Sequence, residues 1–148
     1  MGNEETYKVA IINGPNLNLL GQRETSVYGS ESFEDYLEKL RDKHSHTDIE
    51  YFQSNSEGEI IDKLHQFGQN CKGIILNPGG YAHTSVAIAD AIAAINTPVI
   101  EVHISNVYAR EEYRQTMITA SKCAGIITGM GLNGYRLALH YLLRYLKK

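Results

Sequence analysis

Residues 73–95 read GIILNPGGYAHTSVAIADAIAAI. Gly73 to Leu76 is apolar throughout and predicts a strand buried on both faces. Asn77-Pro78-Gly79-Gly80 closes it with a tight turn. Thr84 or Ser85 can cap the helix that follows, predicted to run from Thr84 to about Ile95. One stretch thus holds a complete strand–turn–helix unit. Its helix is apolar nearly all round, broken only by Asp90, and a helix of that kind is covered on every side. Its outer face therefore predicts a subunit interface and a homo-oligomer, with Asp90 either pairing across the interface or reaching a neighbour's site.

The same unit recurs on both sides. Tyr7 to Asn13 (YKVAIIN) predicts a first strand, and Ser32 to roughly His44 a helix. In that helix Ser32 and Asp35 have capping-box spacing, while Phe33, Tyr36, Leu37 and Leu40 recur at helical intervals. Ile49 to Gln53 predicts a second strand. Ser56 and Glu59 open a helix carrying Ile60, Ile61, Leu64 and Phe67. Downstream, Val99 to Ile104 predicts a fourth strand, Asn106 to Gln115 a loop with a helical turn, Gly125 to Thr128 a fifth strand, and Tyr135 to Leu146 a closing helix. Strands that are apolar throughout suit a parallel sheet with helices on both faces. The expected class is α/β, a doubly wound five-stranded parallel sheet in the order 2-1-3-4-5, formed by a single catalytic domain over residues 1–148. In that order ligands bind at the carboxyl ends of the strands, beside the switch point between strands 1 and 3. The chemically unusual residues gather there: Asn13-Gly14-Pro15-Asn16 after strand 1, Asn77 to His83 after strand 3, and Glu101 to Asn106 at the end of strand 4.

Composition narrows the function. The chain has 148 residues, 43% hydrophobic and 21% charged, with a net charge of −3. Without a basic surplus it is not expected to bind nucleic acid. No apolar run approaches the ~20 residues that cross a bilayer, and Met1 to Thr6 is short and polar, so no membrane span and a cytoplasmic setting are expected. Cys71 and Cys123 read as two reduced thiols.

Three constellations carry chemistry. The long first loop, GPNLNLLGQRETSVYG at 14–29, has the length of a lid or binding loop but neither the Walker Lys-Ser/Thr pair nor GxGxxG spacing. It holds Arg23 and Tyr28, which on composition alone read first as a solvated surface pair, with an activated base as the alternative. A cation at about 4 Å and an effective dielectric of about 20 favours a phenolate by roughly 4 kcal/mol. That is about 3 pK units, less whatever desolvation takes back. In the second constellation, Glu101 and His103 stand two apart on a strand and share a face, as an oriented general acid would. The same pair also suits a satisfied strand-end histidine, or a His₂Glu metal site with His83, although no HExxH-like spacing supports a metal. The third is Arg110 and Arg114, four apart among Glu111 and Glu112. They suit an exposed ion-pair network or, for Arg114, recognition of anions or hydroxyls. A flavodoxin-type binding module without catalysis is a further alternative.

Three motifs, NGPNLNLLGQRETSVYG (13–29), LNPGGYAHTSVAIADAI (76–92) and EVHISNVYAREEYR (101–114), together resemble type II 3-dehydroquinate dehydratase. The likeness runs from the first strand to the last helix. It implies a flavodoxin-like fold, no metal, no cofactor, and dodecamers built from trimers. It implies a place in the shikimate pathway or in quinate metabolism, with 3-dehydroquinate as substrate. By position, Tyr28 matches the base that takes the C2 proton and Arg23 the arginine that activates it. Asn16 matches the residue that holds a water on the enolate oxygen. His103 matches the acid that protonates the departing C1 hydroxyl, with Glu101 orienting it. Asn77, Ile104 and Ser105 match positions that hold the substrate, the last two through its carboxylate. His83 and Arg114 match contacts to the ring hydroxyls, and Asp90 a residue contributed by an adjacent subunit. Thr25 departs from the pattern, standing where many relatives carry proline.

Overall fold

The computed structural model describes residues 6–22, 26 and 29–146. Five strands, β1 (Tyr7–Asn13), β2 (Thr47–Gln53), β3 (Gly73–Asn77), β4 (Val99–His103) and β5 (Gly125–Thr128), form one sheet in the order β2-β1-β3-β4-β5. Every pairing is parallel. Among the described residues, four longer helices complete the layers: α1 (Phe33–Lys43), α2 (Glu57–Asn70), α3 (Val86–Ala94) and α4 (Asn133–Leu146). The predicted order and class therefore hold. β2 begins two residues before the predicted Ile49, and α4 two before Tyr135.

The strands divide their side chains by parity. Val9 and Ile11 of β1 face one core with Phe33 and Leu37 of α1 and Leu139 and Leu142 of α4. Ala10 and Ile12 face the other, with Ile60 and Leu64 of α2 and Ile88 and Ile92 of α3. Most of these side chains are fully buried, each stabilising the fold by about 1.5–3 kcal/mol.

Serines start three of the helices as expected. Ser32 Oγ accepts from the Asp35 amide at 3.1 Å, Ser56 Oγ from Glu59 at 3.3 Å and Ser85 Oγ from Ile88 at 2.9 Å. Each such cap contributes about 1 kcal/mol. The Ser56–Glu59 box is not reciprocal, because Ser54 intervenes: its hydroxyl donates to Glu59 at 2.5 Å and accepts from the Ser56 amide at 2.9 Å. Between β4 and β5 the chain forms short 3₁₀ turns: Val107–Ala109 and Glu112–Gln115 fall in the loop with a helical turn predicted for Asn106 to Gln115, and Ala120–Lys122 follows it.

α3 is more asymmetric than its sequence suggests. Ile88, Ala89, Ala91 and Ile92 are buried, whereas Val86, Ala87, Asp90, Ala93 and Ala94 are exposed. Among the described residues no helix is long and apolar enough to cross a membrane.

Candidate active site

The register aligns the carboxyl ends of β1 and β3, with Asn13 opposite Asn77. Two turns leave there and press together. The Gly14 amide donates to the Asn77 carbonyl at 2.7 Å. A Cβ on Gly14 would sit 2.6 Å from the Pro78 carbonyl oxygen, a distance no side chain tolerates. Gly79, at φ +60°, faces the Pro15 carbonyl less closely, a Cβ there lying 3.1 Å from its oxygen.

Beneath these turns lies a neutral polar cluster. Tyr135, on the first turn of α4, is fully buried. Its hydroxyl donates to Asn13 Oδ1 at 2.7 Å and accepts from Asn77 Nδ2 at 2.8 Å. Asn77 Oδ1 accepts from the Gly79 amide at 3.1 Å, so the amide orientation of Asn77 is fixed from both ends. Burial drives the Tyr135 phenol far above its ordinary range, although the two asparagines pull the other way. It is a fixed neutral bridge. Tyr51, which accepts from Asn13 Nδ2 at 3.4 Å, is also raised by burial, to about 12.

The first wall of the cleft is the loop after β1. Asn16 adopts a left-handed conformation (φ 70°) at the head of the 3₁₀ turn Leu17–Leu19. Asparagine is among the few side chains that tolerate this region. Its amide donates to Asn55 Oδ1 at 3.0 Å, which ties the loop to the segment after β2. Gln53 Nε2 donates to the Gly14 carbonyl at 3.2 Å from the same side.

The opposite wall carries the ionisable groups. His103 and Glu101 end β4, both buried. The Glu101 carboxylate accepts from His103 Nε2 at 2.7 Å through one oxygen, and from the Thr119 hydroxyl at 2.6 Å through the other. Because both partners donate to it, Nε2 carries a proton and Nδ1 is the nitrogen left for exchange with a ligand. His83 stacks on His103, ring centroids 6.1 Å apart and planes 29° apart. Its Nδ1–H donates to the Thr116 carbonyl at 2.8 Å, which leaves Nε2 as an acceptor. Burial is the main cause that lowers the His83 pKa. The bond to Thr116 opposes it, and His103 and Arg114 add to the lowering. The stacked pair therefore combines an imidazole backed by a carboxylate with one held neutral.

Between the walls is a cleft of about 710 Å³, part of it open to solvent. Asn16, Asn77, His83, His103, Ile104 and Ser105 line it, and Arg114 closes one side. Glu101 stands behind His103. Asp90 is exposed on α3 and is not brought to the cleft of its own chain. Arg23 and Tyr28 lie outside the described residues. The alternative metal set does not assemble: among the described residues no group of three His, Cys, Asp or Glu side chains could share an ion. The Glu101 oxygens are instead taken by Thr119 and His103.

Some residues here escaped sequence reading. Arg110 lines the cleft beside Arg114, and its Nη1 donates to Ser105 Oγ at 3.2 Å. Its spacing from Arg114 suggested one helical turn, but two separate 3₁₀ turns present both arginines to the cleft. Tyr135 and Thr119 lie in no motif, and Asn13, although it opens the first motif, shows its role only through its bond to Tyr135, 122 positions away.

Comparison with known proteins agrees with this arrangement. A family model described as dehydroquinase class II matches residues 7–143. A 3-dehydroquinate dehydratase of Caldicellulosiruptor bescii is 53% identical over 138 residues, covering 91% of this chain and 95% of its own. One of Fusobacterium nucleatum is 48% identical over 146 residues, covering 95% and 99%. Among solved structures, the type II dehydroquinase of Butyrivibrio crossotus superposes with a TM-score of 0.89 at 45% identity, covering 93% of this chain and 97% of its own. That of Propionibacterium acnes gives 0.90 at 36% identity, covering 96% and 99%. Sequence and fold coincide over nearly the whole length, and the chain belongs to the class II dehydroquinase family.

Proposed function

We propose that the protein dehydrates 3-dehydroquinate to 3-dehydroshikimate. Family membership over residues 7–143 supports the reaction, and the buried Glu101–His103 pair opening onto the cleft is the observation that supports the chemistry. Tyr28, activated by Arg23, takes the C2 proton, and the C–H electrons pass into an enolate. Asn16 holds a water on the enolate oxygen. The enolate then expels the C1 hydroxyl, which takes a proton from His103 and leaves as water. Hydroxide alone leaves badly, so an acid at this position is needed. Glu101 orients His103 by accepting from its Nε2 at 2.7 Å. Asn77, Ile104 and Ser105 hold the substrate, the last two at its carboxylate. His83, a neutral acceptor, and Arg114 bind ring hydroxyls. No metal or organic cofactor takes part.

The working unit is a cytoplasmic homo-oligomer, a dodecamer of trimers, whose chains are each a single catalytic domain. The exposed face of α3, small and apolar around Asp90, supports this reading. Asp90 then reaches the cleft of a neighbouring subunit. Light scattering that returned a monomer at assay concentration would remove this part.

The activity is tested by adding 3-dehydroquinate and following the ultraviolet absorbance of the conjugated product, with and without a strong chelator. Turnover that survives chelation is expected. Tyr28→Phe should fold, bind substrate and lose nearly all turnover. Near wild-type rates in that variant would overturn the assignment of the base.

A further inference from the structure

Both imidazoles of the cleft are held by one short segment that does not line it. Residues 116–119 run between the 3₁₀ turns Glu112–Gln115 and Ala120–Lys122. The amides of Ile118 and Thr119 both donate to the Ala82 carbonyl, at 2.9 and 3.3 Å. That pins the segment to the turn carrying His83. The Thr116 carbonyl accepts from His83 Nδ1 at 2.8 Å. Thr119 is fully buried, and its hydroxyl donates to Glu101 Oε1 at 2.6 Å, while Glu101 Oε2 accepts from His103 at 2.7 Å. The other contact on Oε1 is the Cys123 thiol at 3.8 Å, a weak donor at the limit of its range.

We propose that residues 116–119 are a strap that sets both cleft histidines, and that Thr119 is a positioning residue acting on His103 through Glu101. A buried carboxylate needs donors on both oxygens to remain a charged, fixed acceptor. Without the Thr119 hydroxyl, Oε1 keeps only the thiol among the described residues. Glu101 is then free to turn, and the nitrogen that His103 presents to the cleft moves with it. Among the described residues, the other ionisable groups beside this pair are His83, stacked on His103, Cys123 near Oε1, and Arg110 and Arg114 in the same cleft. Because Thr119 stays behind the cleft wall, its loss should slow the chemical step and leave substrate binding nearly intact.

This rests on the dehydratase reading, and the test separates the two. Thr119→Val preserves shape and removes the hydroxyl; Thr119→Ser preserves the hydroxyl. In T119V, kcat should fall by roughly tenfold or more with KM within about twofold, and T119S should restore it. In a Glu101→Gln background the same change should add little, because residues acting through one another are not additive. Wild-type kcat in T119V, or an equal loss in the E101Q background, would overturn the proposal. If T119V fails to fold, Thr119→Ala is compared with T119S, and equal losses in those two would also overturn it. A wild-type protein inactive on 3-dehydroquinate would remove the dehydratase reading alone. The strap would then be judged by the ¹⁵N–¹H signal of the His103 ring nitrogen, assigned by its loss in His103→Asn. It should move in T119V and stay in T119S; an unmoved signal in T119V overturns the strap.

Discussion

Two buried polar clusters sit under the cleft, side by side, and they differ in kind. Beneath β1 and β3, Asn13, Tyr135 and Asn77 form a closed neutral set. Beneath β4, Thr119, Glu101 and His103 form a chain of hydrogen bonds that includes a carboxylate and ends at the cleft. The neutral cluster carries no charge that burial must compensate, and the pKa of its phenol is driven out of any useful range. Its contribution is to geometry: it ties two strand ends to the first turn of α4. The charged cluster keeps a buried carboxylate, which costs desolvation unless its partners are in place. Such an arrangement is poor value for stability and useful for moving a proton. Under the proposed mechanism, similar bond lengths therefore belong to different links of the chain from sequence to function, one to packing and the other to chemistry.

Substitutions break this comparison in order of size. The largest effect is expected at the end of the charged cluster. His103→Asn should lower kcat by ~10²–10⁴-fold, the range for loss of a general acid, while the melting temperature changes little. A large loss of stability with modest loss of turnover would reverse the roles assigned to the two clusters. Next comes the neutral cluster. Tyr135→Phe leaves Asn13 Oδ1 and Asn77 Nδ2 without their buried partner, at a cost of roughly 1–3 kcal/mol of stability. Chemical denaturation should read that loss, and kcat should fall by less than in His103→Asn. An unchanged unfolding midpoint would mean that another group takes over the bridge.

A smaller effect follows from His83. Its pKa is lowered in the folded protein, so below the unfolded value of about 6.5 the unfolded chain binds more protons than the folded one. Stability from keeping this ring neutral is complete above that pH and is lost as pH falls through the folded pKa. The melting temperature should therefore decline from pH 7 towards pH 5, and His83→Asn should flatten part of that slope. An identical slope in the variant would assign the decline to other groups. The smallest effect is expected far from the cleft. Lys39 and Glu31 meet at 2.6 Å on the surface, and Lys39→Ala should leave melting temperature and turnover unchanged.

The sequence disclosed what depends on local pattern. Apolar strands, serine caps and strand–helix alternation are short-range signals, and they led to the correct sheet order. The turns after β1 and β3 were legible for the same reason, since Asn-Gly-Pro and Asn-Pro-Gly-Gly bend the chain whatever surrounds them. The stretch 106–122 was read least well. Its 3₁₀ turns follow from contacts with the turn at Ala82 and with β4, not from its own periodicity. Thr119 looked like any loop threonine for that reason. Tyr135 looked like the start of an amphipathic helix. Its hydroxyl matters only because the register sets Asn13 against Asn77. In the α3 helix, mean apolarity concealed a real division between an inner face of Ile88, Ala89, Ala91 and Ile92 and an outer face of small residues around Asp90.

The backbone contact of Gly14 with Pro78 has an engineering consequence. With no room for even one methyl group between them, the turns after β1 and β3 move as a single block. A residue inserted after either strand would displace the other, so this part of the fold tolerates no length variation. Redesign for a differently shaped ligand would have to work from the opposite bank, where Arg110 and Arg114 line the cleft and both pair with Glu111, so re-aiming one bears on the other.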